Sequence, residues 1–93
     1  MIQVNEYFNG TVKSLAYTSP EGKSTIGVME KGEYEFSTSQ KEYMTVIEGE
    51  LLVLLPEATE WKSFKKNESF GVEAHQSFKV KSNDQSSYLC KYS

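Results

Sequence analysis

The chain has 93 residues and a net charge of −3 at neutral pH, and all ten of its basic residues are lysines. This length fits one domain and leaves no room for a second hydrophobic core. Without a basic excess the chain cannot neutralise a phosphate backbone, and its longest apolar run, 51–55, is far shorter than a membrane span. We therefore expect neither a nucleic-acid nor a membrane partner.

The single cysteine and the first residues bear on the compartment. Cys90 has no second cysteine with which to form an internal disulfide, and residues 1–7 lack the basic start and apolar run of a secretory signal. These features predict a cytoplasmic protein. Because so short a chain buries a small fraction of its surface on its own, we also expect a homodimer.

Short segments rich in β-branched and aromatic residues alternate with turn-forming residues along the whole chain. The predicted strands are 11–17, 25–30, 32–38, 43–47, 51–55, 76–80 and 87–92. Residues 58–64 allow one turn of helix, and no other stretch has helical periodicity. Many short strands separated by turns predict an all-β sandwich or barrel.

Three strand patterns indicate which side chains face the core. The alternation in 32–38 places Tyr34, Phe36 and Thr38 on one face of the strand. The turn at Glu48-Gly49 predicts a hairpin in which strand 43–47 pairs with strand 51–55. In the last strand, period-two alternation directs side chains 88, 90 and 92 to a common face.

Two spacings resemble the motifs of the cupin fold. Phe36-x-Thr38, three residues, Glu42, six residues and a glycine resemble the first motif, and 70–78 resembles the second, with Phe78 at its metal histidine. The resemblance implies an all-β, single-domain cupin, a jelly-roll-like β-barrel, over 1–93. Of the four ligand positions only Glu42 carries a metal-binding side chain, and one carboxylate is too few for a stable site. We therefore expect no metal and no other cofactor.

Within the cupins, the chain resembles the short bacterial pyrimidine/purine nucleoside phosphorylases from end to end. The resembling segments are 4–8, 27–29, 32–38, 42–49, 54–61 and 87–92. The resemblance implies an enzyme, a pentosyltransferase with both purine- and pyrimidine-nucleoside phosphorylase activity. Nucleosides and orthophosphate would be its substrates, and free base and α-D-ribose 1-phosphate its products, in a reversible reaction.

Two residues are candidates for catalysis. Glu42 lies where cupins direct a side chain into the barrel, and a carboxylate in a partly dry pocket can stabilise a sugar cation or donate a proton. The alternative is a solvated residue in the loop before strand 43–47. His75, the only histidine, can protonate a leaving base or bind phosphate. Its alternative is a surface position ahead of a strand.

Without arginine, phosphate must be held by hydroxyls, backbone N–H groups, a lysine or a protonated histidine. Ser37, Thr38 and Thr45 are the hydroxyl candidates, and alternation favours Thr38 over Ser37 as an interior donor.

Aromatic side chains would bind the base by stacking and shape, as broad specificity requires. The candidates for substrate binding are Tyr34, Phe36, Phe78 and Tyr88, with Tyr92 as a further ring. The alternative is that inward-facing rings only fill the core.

Other interpretations remain open. Trp61 suits a dimer contact or a lid as well as a ligand platform, and Cys90 is typical of a small buried apolar residue. A cupin that binds a sugar or nucleotide without catalysis is the second functional hypothesis. A metal-dependent dioxygenase or isomerase is disfavoured by the ligand positions.

Overall fold

The computed structural model describes all residues, 1–93, as ten antiparallel strands joined by turns. The strands are β1 (Gln3–Tyr7), β2 (Val12–Ser19), β3 (Gly22–Met29), β4 (Gly32–Ser37), β5 (Glu42–Glu48), β6 (Glu50–Leu54), β7 (Lys62–Lys65), β8 (Ser69–Val72), β9 (Ser77–Ser82) and β10 (Ser86–Tyr92). They form a six-stranded sheet in the order β1-β2-β3-β10-β5-β8 and a four-stranded sheet in the order β4-β9-β6-β7. This two-sheet architecture confirms the all-β, cupin-like prediction.

All seven predicted strands exist, and three further strands had escaped prediction. β1, β7 and β8 are short, and all but one residue of β1 are exposed, so no clear alternation marks it. The turn of helix expected in 58–64 is wrong, because residues from Lys62 onward pair with β6 instead. The chain has no helix, and therefore no helix that is long and apolar enough to cross a membrane.

The predicted hairpin at Glu48-Gly49 is wrong. β5 pairs with β10 and β8 in one sheet, whereas β6 pairs with β9 and β7 in the other. Gly49, with φ of 96°, carries the chain across from one sheet to the next. A glycine at this position is compatible with a tight hairpin and equally with a crossing between sheets, since both can require a positive φ.

One core of 14 buried residues fills the space between the sheets. The six-stranded sheet contributes Met44 and Val46 of β5, and the four-stranded sheet contributes Leu51 and Val53 of β6. The alternation predicted for β4 is confirmed, since Tyr34 is buried and Phe36 packs against the core. Consecutive strands thus supply opposite walls of the same interior.

Candidate functional site

A cavity of about 120 Å³, here called the inner cavity, lies between the two sheets. It is lined by Tyr7, Ser14, Thr25, Phe36, Ser37, Glu42, Met44, Phe78, Tyr88, Cys90 and Tyr92. These residues come from β1, β2, β3, β5 and β10 on one side and from β4 and β9 on the other. Only one of them, Glu42, carries a charge.

The register around β10 brings the polar residues of the inner cavity together. Tyr92 pairs with Glu42 of β5, and Cys90 pairs with Thr25 of β3. Tyr88 pairs with Gly27 in the next inward-facing row. Because β10 lies between β3 and β5, its alternate side chains form the floor on which the other residues converge.

Glu42 is half-buried and poorly solvated. The Cys90 thiol donates to its Oε1 over 3.5 Å, and this long contact is the only side-chain hydrogen bond that the carboxylate receives. Burial therefore raises the pKa of Glu42, with the thiol contact opposing that shift. Burial, and then the charge of Glu42, raise the pKa of Cys90 to about 12, so Cys90 stays a thiol and not a nucleophilic thiolate.

Two phenol groups beside Glu42 keep their protons. Burial raises the pKa of both Tyr88 and Tyr92, so each is a neutral hydrogen-bond donor. The hydroxyls of Tyr92 and Thr25 are hydrogen-bonded to each other at 3.2 Å. The Tyr88 hydroxyl has no hydrogen-bond partner within the chain, which leaves it available to a ligand.

The opposite wall of the inner cavity is aromatic. Phe36 and Phe78 are paired across β4 and β9, with ring centroids 5.7 Å apart and planes inclined by 30°. These two rings stand at positions that the motif resemblance assigns to metal-binding histidines, and no group of three or more His, Cys, Asp or Glu side chains comes together in the chain. The donor set does not fit a metal. The two tilted rings present an apolar aromatic surface, and aromatic faces are surfaces on which a heterocycle can stack.

Of the residues expected at the site, the structure brings Glu42, Phe36, Phe78 and Tyr88 together. Tyr34 lies beside Phe36 without lining the cavity, and its hydroxyl donates to the Glu30 carbonyl.

Thr38 and His75 lie outside the cavity. The Thr38 hydroxyl donates to the Glu73 carbonyl at 2.7 Å and accepts from the Gln76 N–H at 3.0 Å. His75 is an exposed residue of the same turn, with φ of 61°. Both residues therefore belong to this turn and do not line the cavity.

Ser37, the hydroxyl candidate that alternation ranks below Thr38, lines the inner cavity. Three other lining residues have no signal in the sequence. Tyr7, Ser14 and Thr25 lie on strands whose neighbours could not be known without the sheet order. Thr45 points away from the cavity and shares a hydrogen bond of 2.7 Å with Ser69.

A larger, more open cavity of about 480 Å³, here called the outer groove, adjoins the inner cavity. Its walls come from the start of β1, the end of β2, the start of β3 and the loop before β5, including Lys23, Ser24, Thr18 and Gln40. Thr25 and Tyr92 line both spaces. Their hydrogen-bonded hydroxyls therefore stand at the boundary between the two.

The chain is similar along nearly its whole length to proteins of one family. Residues 2–92 match the family model described as pyrimidine/purine nucleoside phosphorylase. Relatives bearing that name include one from Pseudomonas syringae pv. syringae, 52% identical over 92 residues with 99% of each chain covered. Another, from Saccharophagus degradans, is also 52% identical, with 99% of this chain and 98% of the relative covered.

Solved structures share the fold. A Vibrio parahaemolyticus protein of unknown function superposes with a TM-score of 0.96 at 40% identity, covering 100% of this chain and 99% of the other. An RmlC-like cupin from Shewanella frigidimarina superposes with a TM-score of 0.74 at 17% identity, covering 98% and 82%. The second likeness bears on the fold alone.

Proposed function

Because the chain belongs to the pyrimidine/purine nucleoside phosphorylase family, we propose that it cleaves purine and pyrimidine nucleosides reversibly with orthophosphate, giving free base and α-D-ribose 1-phosphate. The observation in the site that supports this most is the Glu42 carboxylate. It is half-buried among phenol, thiol and phenyl groups and has no cationic partner. Such a carboxylate is stabilised when positive charge develops beside it.

Phosphorolysis develops that charge. The C1′–N bond to the base breaks, C1′ becomes oxocarbenium-like, and a C1′–O bond to phosphate forms. The proton that hydrogen phosphate loses equals the one that the base gains, so the reaction is balanced without an added acid. Glu42 would act as the ionised carboxylate, lowering the energy of the sugar cation more than that of the neutral nucleoside.

The base would lie against the Phe36 and Phe78 rings. Stacking accepts both purines and pyrimidines, since every base has a π-face. The unpartnered Tyr88 hydroxyl would donate a hydrogen bond to the departing base. One adaptable hydroxyl discriminates less between bases than a fixed set of amide or carboxylate groups would.

The dimer belongs to the same proposal. On the outer face of the six-stranded sheet, Val4, Leu15, Ile26 and Leu89 are consecutive partners across four neighbouring strands. The first three are 63%, 47% and 41% exposed. We propose that a second copy of the chain covers this apolar row, which would add buried surface to a small core. Light scattering should give twice the monomer mass, and Ile26→Lys should halve it; a monomeric wild-type protein would refute the dimer.

Purified protein supplied with inosine or uridine tests the activity. Base should be released only when orthophosphate is present, and treatment with EDTA should leave the rate unchanged. Release of base without phosphate, or no release at all, would refute the phosphorylase assignment. A cytoplasmic location, where both substrates meet, completes the proposal.

A binding protein without catalysis is the second candidate. It is favoured by the sparse polar surroundings of Glu42, whose only side-chain hydrogen bond comes from a thiol. Nucleosides that raise the melting temperature without being turned over would support it.

A further inference from the structure

The inner cavity is too small to hold both substrates alone. Sites for small molecules usually have volumes of about 300–1,000 Å³. The inner cavity, at about 120 Å³, is below that range, whereas the outer groove, at about 480 Å³, is within it. Since Thr25 and Tyr92 line both, the two spaces adjoin and together form one composite site.

The charges of the two spaces are opposite. The inner cavity contains the Glu42 carboxylate and no cation, so an anion placed there is repelled. The outer groove is lined by Lys23 and by no residue that carries a carboxylate. Lys23 has no carboxylate within ion-pair distance, whereas Lys13, Lys41, Lys81 and Lys91 each have one.

Hydroxyl and amide groups surround this unpaired cation. Thr18 and Ser24 line the groove beside it, and Gln40 approaches from the loop before β5. Hydroxyl, amide and ammonium groups are the donors with which a chain lacking arginine can hold a phosphate group. We infer that the outer groove is the orthophosphate subsite, with Lys23 as its cation, and that the base enters the inner cavity.

This inference rests on the proposed phosphorolysis and adds the side of the sugar from which phosphate attacks. The attacking and leaving atoms of an in-line displacement lie on opposite sides of the reacting carbon. With phosphate in the groove and the base against the Phe36 and Phe78 rings, C1′ lies at the boundary marked by Tyr92 and Thr25. The register places Glu42 opposite Tyr92 at that boundary. The carboxylate is then beside the sugar and separated from the phosphate by the two hydroxyls.

Substitution of Lys23 tests the inference. In Lys23→Met the KM for orthophosphate should rise about tenfold, as loss of a charge-assisted contact implies, while the KM for inosine changes less than twofold. Lys23→Arg, which keeps the charge, should restore the phosphate KM to within about threefold of wild type. Lys66→Met is the matched control, because Lys66 is exposed and lines neither space.

Two outcomes would overturn the inference. One is an unchanged phosphate KM in Lys23→Met, and the other is a phosphate KM that rises in His75→Asn and not in Lys23→Met. In both cases wild-type phosphorolysis would stand, so the failure would be confined to the subsite.

If no phosphorolysis is found, a binding experiment tests the subsite separately. The wild-type protein is titrated with inorganic phosphate and followed by amide NMR. Chemical-shift changes centred on Lys23 and Ser24 would support the subsite, and their absence would refute it.

Discussion

Tyr88 lies directly over Gly27 of the neighbouring strand. A Cβ at position 27 would come within 2.3 Å of the Tyr88 Cζ and 2.4 Å of its hydroxyl oxygen, distances at which something must move. The position of the phenol in the inner cavity thus depends on a missing side chain one strand away. Gly27 has no positive φ, so this is a requirement of space and not of backbone conformation.

Gly27→Ala should therefore act on the site through Tyr88. We expect kcat/KM for nucleoside to fall at least tenfold, because the ring must leave its place, and stability to fall by about 1–3 kcal/mol from overpacking. Gly71→Ala is the control, since its Cβ would meet nothing closer than 3.6 Å. Steady-state kinetics and urea unfolding measure the two effects. Unchanged kinetics in Gly27→Ala would show that the Tyr88 phenol does not contact the substrate.

Glu42→Gln should lower kcat by about 100-fold or more, because the amide keeps the shape of the side chain and loses its charge. Glu48→Gln, an exposed change on the same strand, is the matched control. Nearly wild-type turnover of Glu42→Gln would remove Glu42 from the mechanism.

The pH profile distinguishes two roles for Glu42. If the carboxylate is the active form, kcat/KM rises as the pH passes through the raised pKa of Glu42 and then levels off. A decline over the same interval would indicate that Glu42 acts as a proton donor instead.

Stability should depend on the ionisation of Glu42 with a definite sign. Its pKa is raised in the folded state, so its contribution is fully present below the unfolded value of 4.5 and is lost as the pH rises through the folded pKa. Glu42→Gln should thus melt above wild type near pH 7 and at nearly the same temperature near pH 4. Thermal unfolding of both proteins at both pH values measures the difference. A Glu42→Gln variant that melts above wild type only near pH 4 would contradict this expectation.

Thr38→Val should affect the turn after β8. The Thr38 hydroxyl bonds with the Glu73 carbonyl and the Gln76 N–H, and its loss should cost about 1–2 kcal/mol in urea unfolding. Ser39→Ala, at an exposed neighbouring position, should cost far less. A nucleoside KM raised more than threefold in folded Thr38→Val would instead place Thr38 in contact with substrate.

The sequence was informative where local alternation and motif spacing act together. Phe36, Phe78 and Tyr88 could be selected because each lies on a recognisable strand, and Glu42 could be selected because the motif spacing places it beside them. Ser14 and Thr25 could not, because their nearness to Glu42 depends on β2 and β3 joining the sheet beside β10. Such long-range pairing leaves no local pattern.

Two sequence patterns were limited in the same way. The alternation of β4 correctly gave Thr38 an inward direction, but it could not reveal that backbone groups of a distant turn use its hydroxyl. Likewise, Gly49 correctly indicated a sharp change of direction, but it could not reveal which sheet received the next strand. In both cases the local conformation was predictable and the partner was not.

The central place of β10 has a consequence for biosynthesis. β3 and β5 both pair with this strand, which follows every other strand in the chain. Until it has left the ribosome, both neighbours present unpaired edges of the kind that favour aggregation. The strand that closes the larger sheet also brings Tyr88, Cys90 and Tyr92 to Glu42, so a nascent chain cannot acquire the site before it completes the fold.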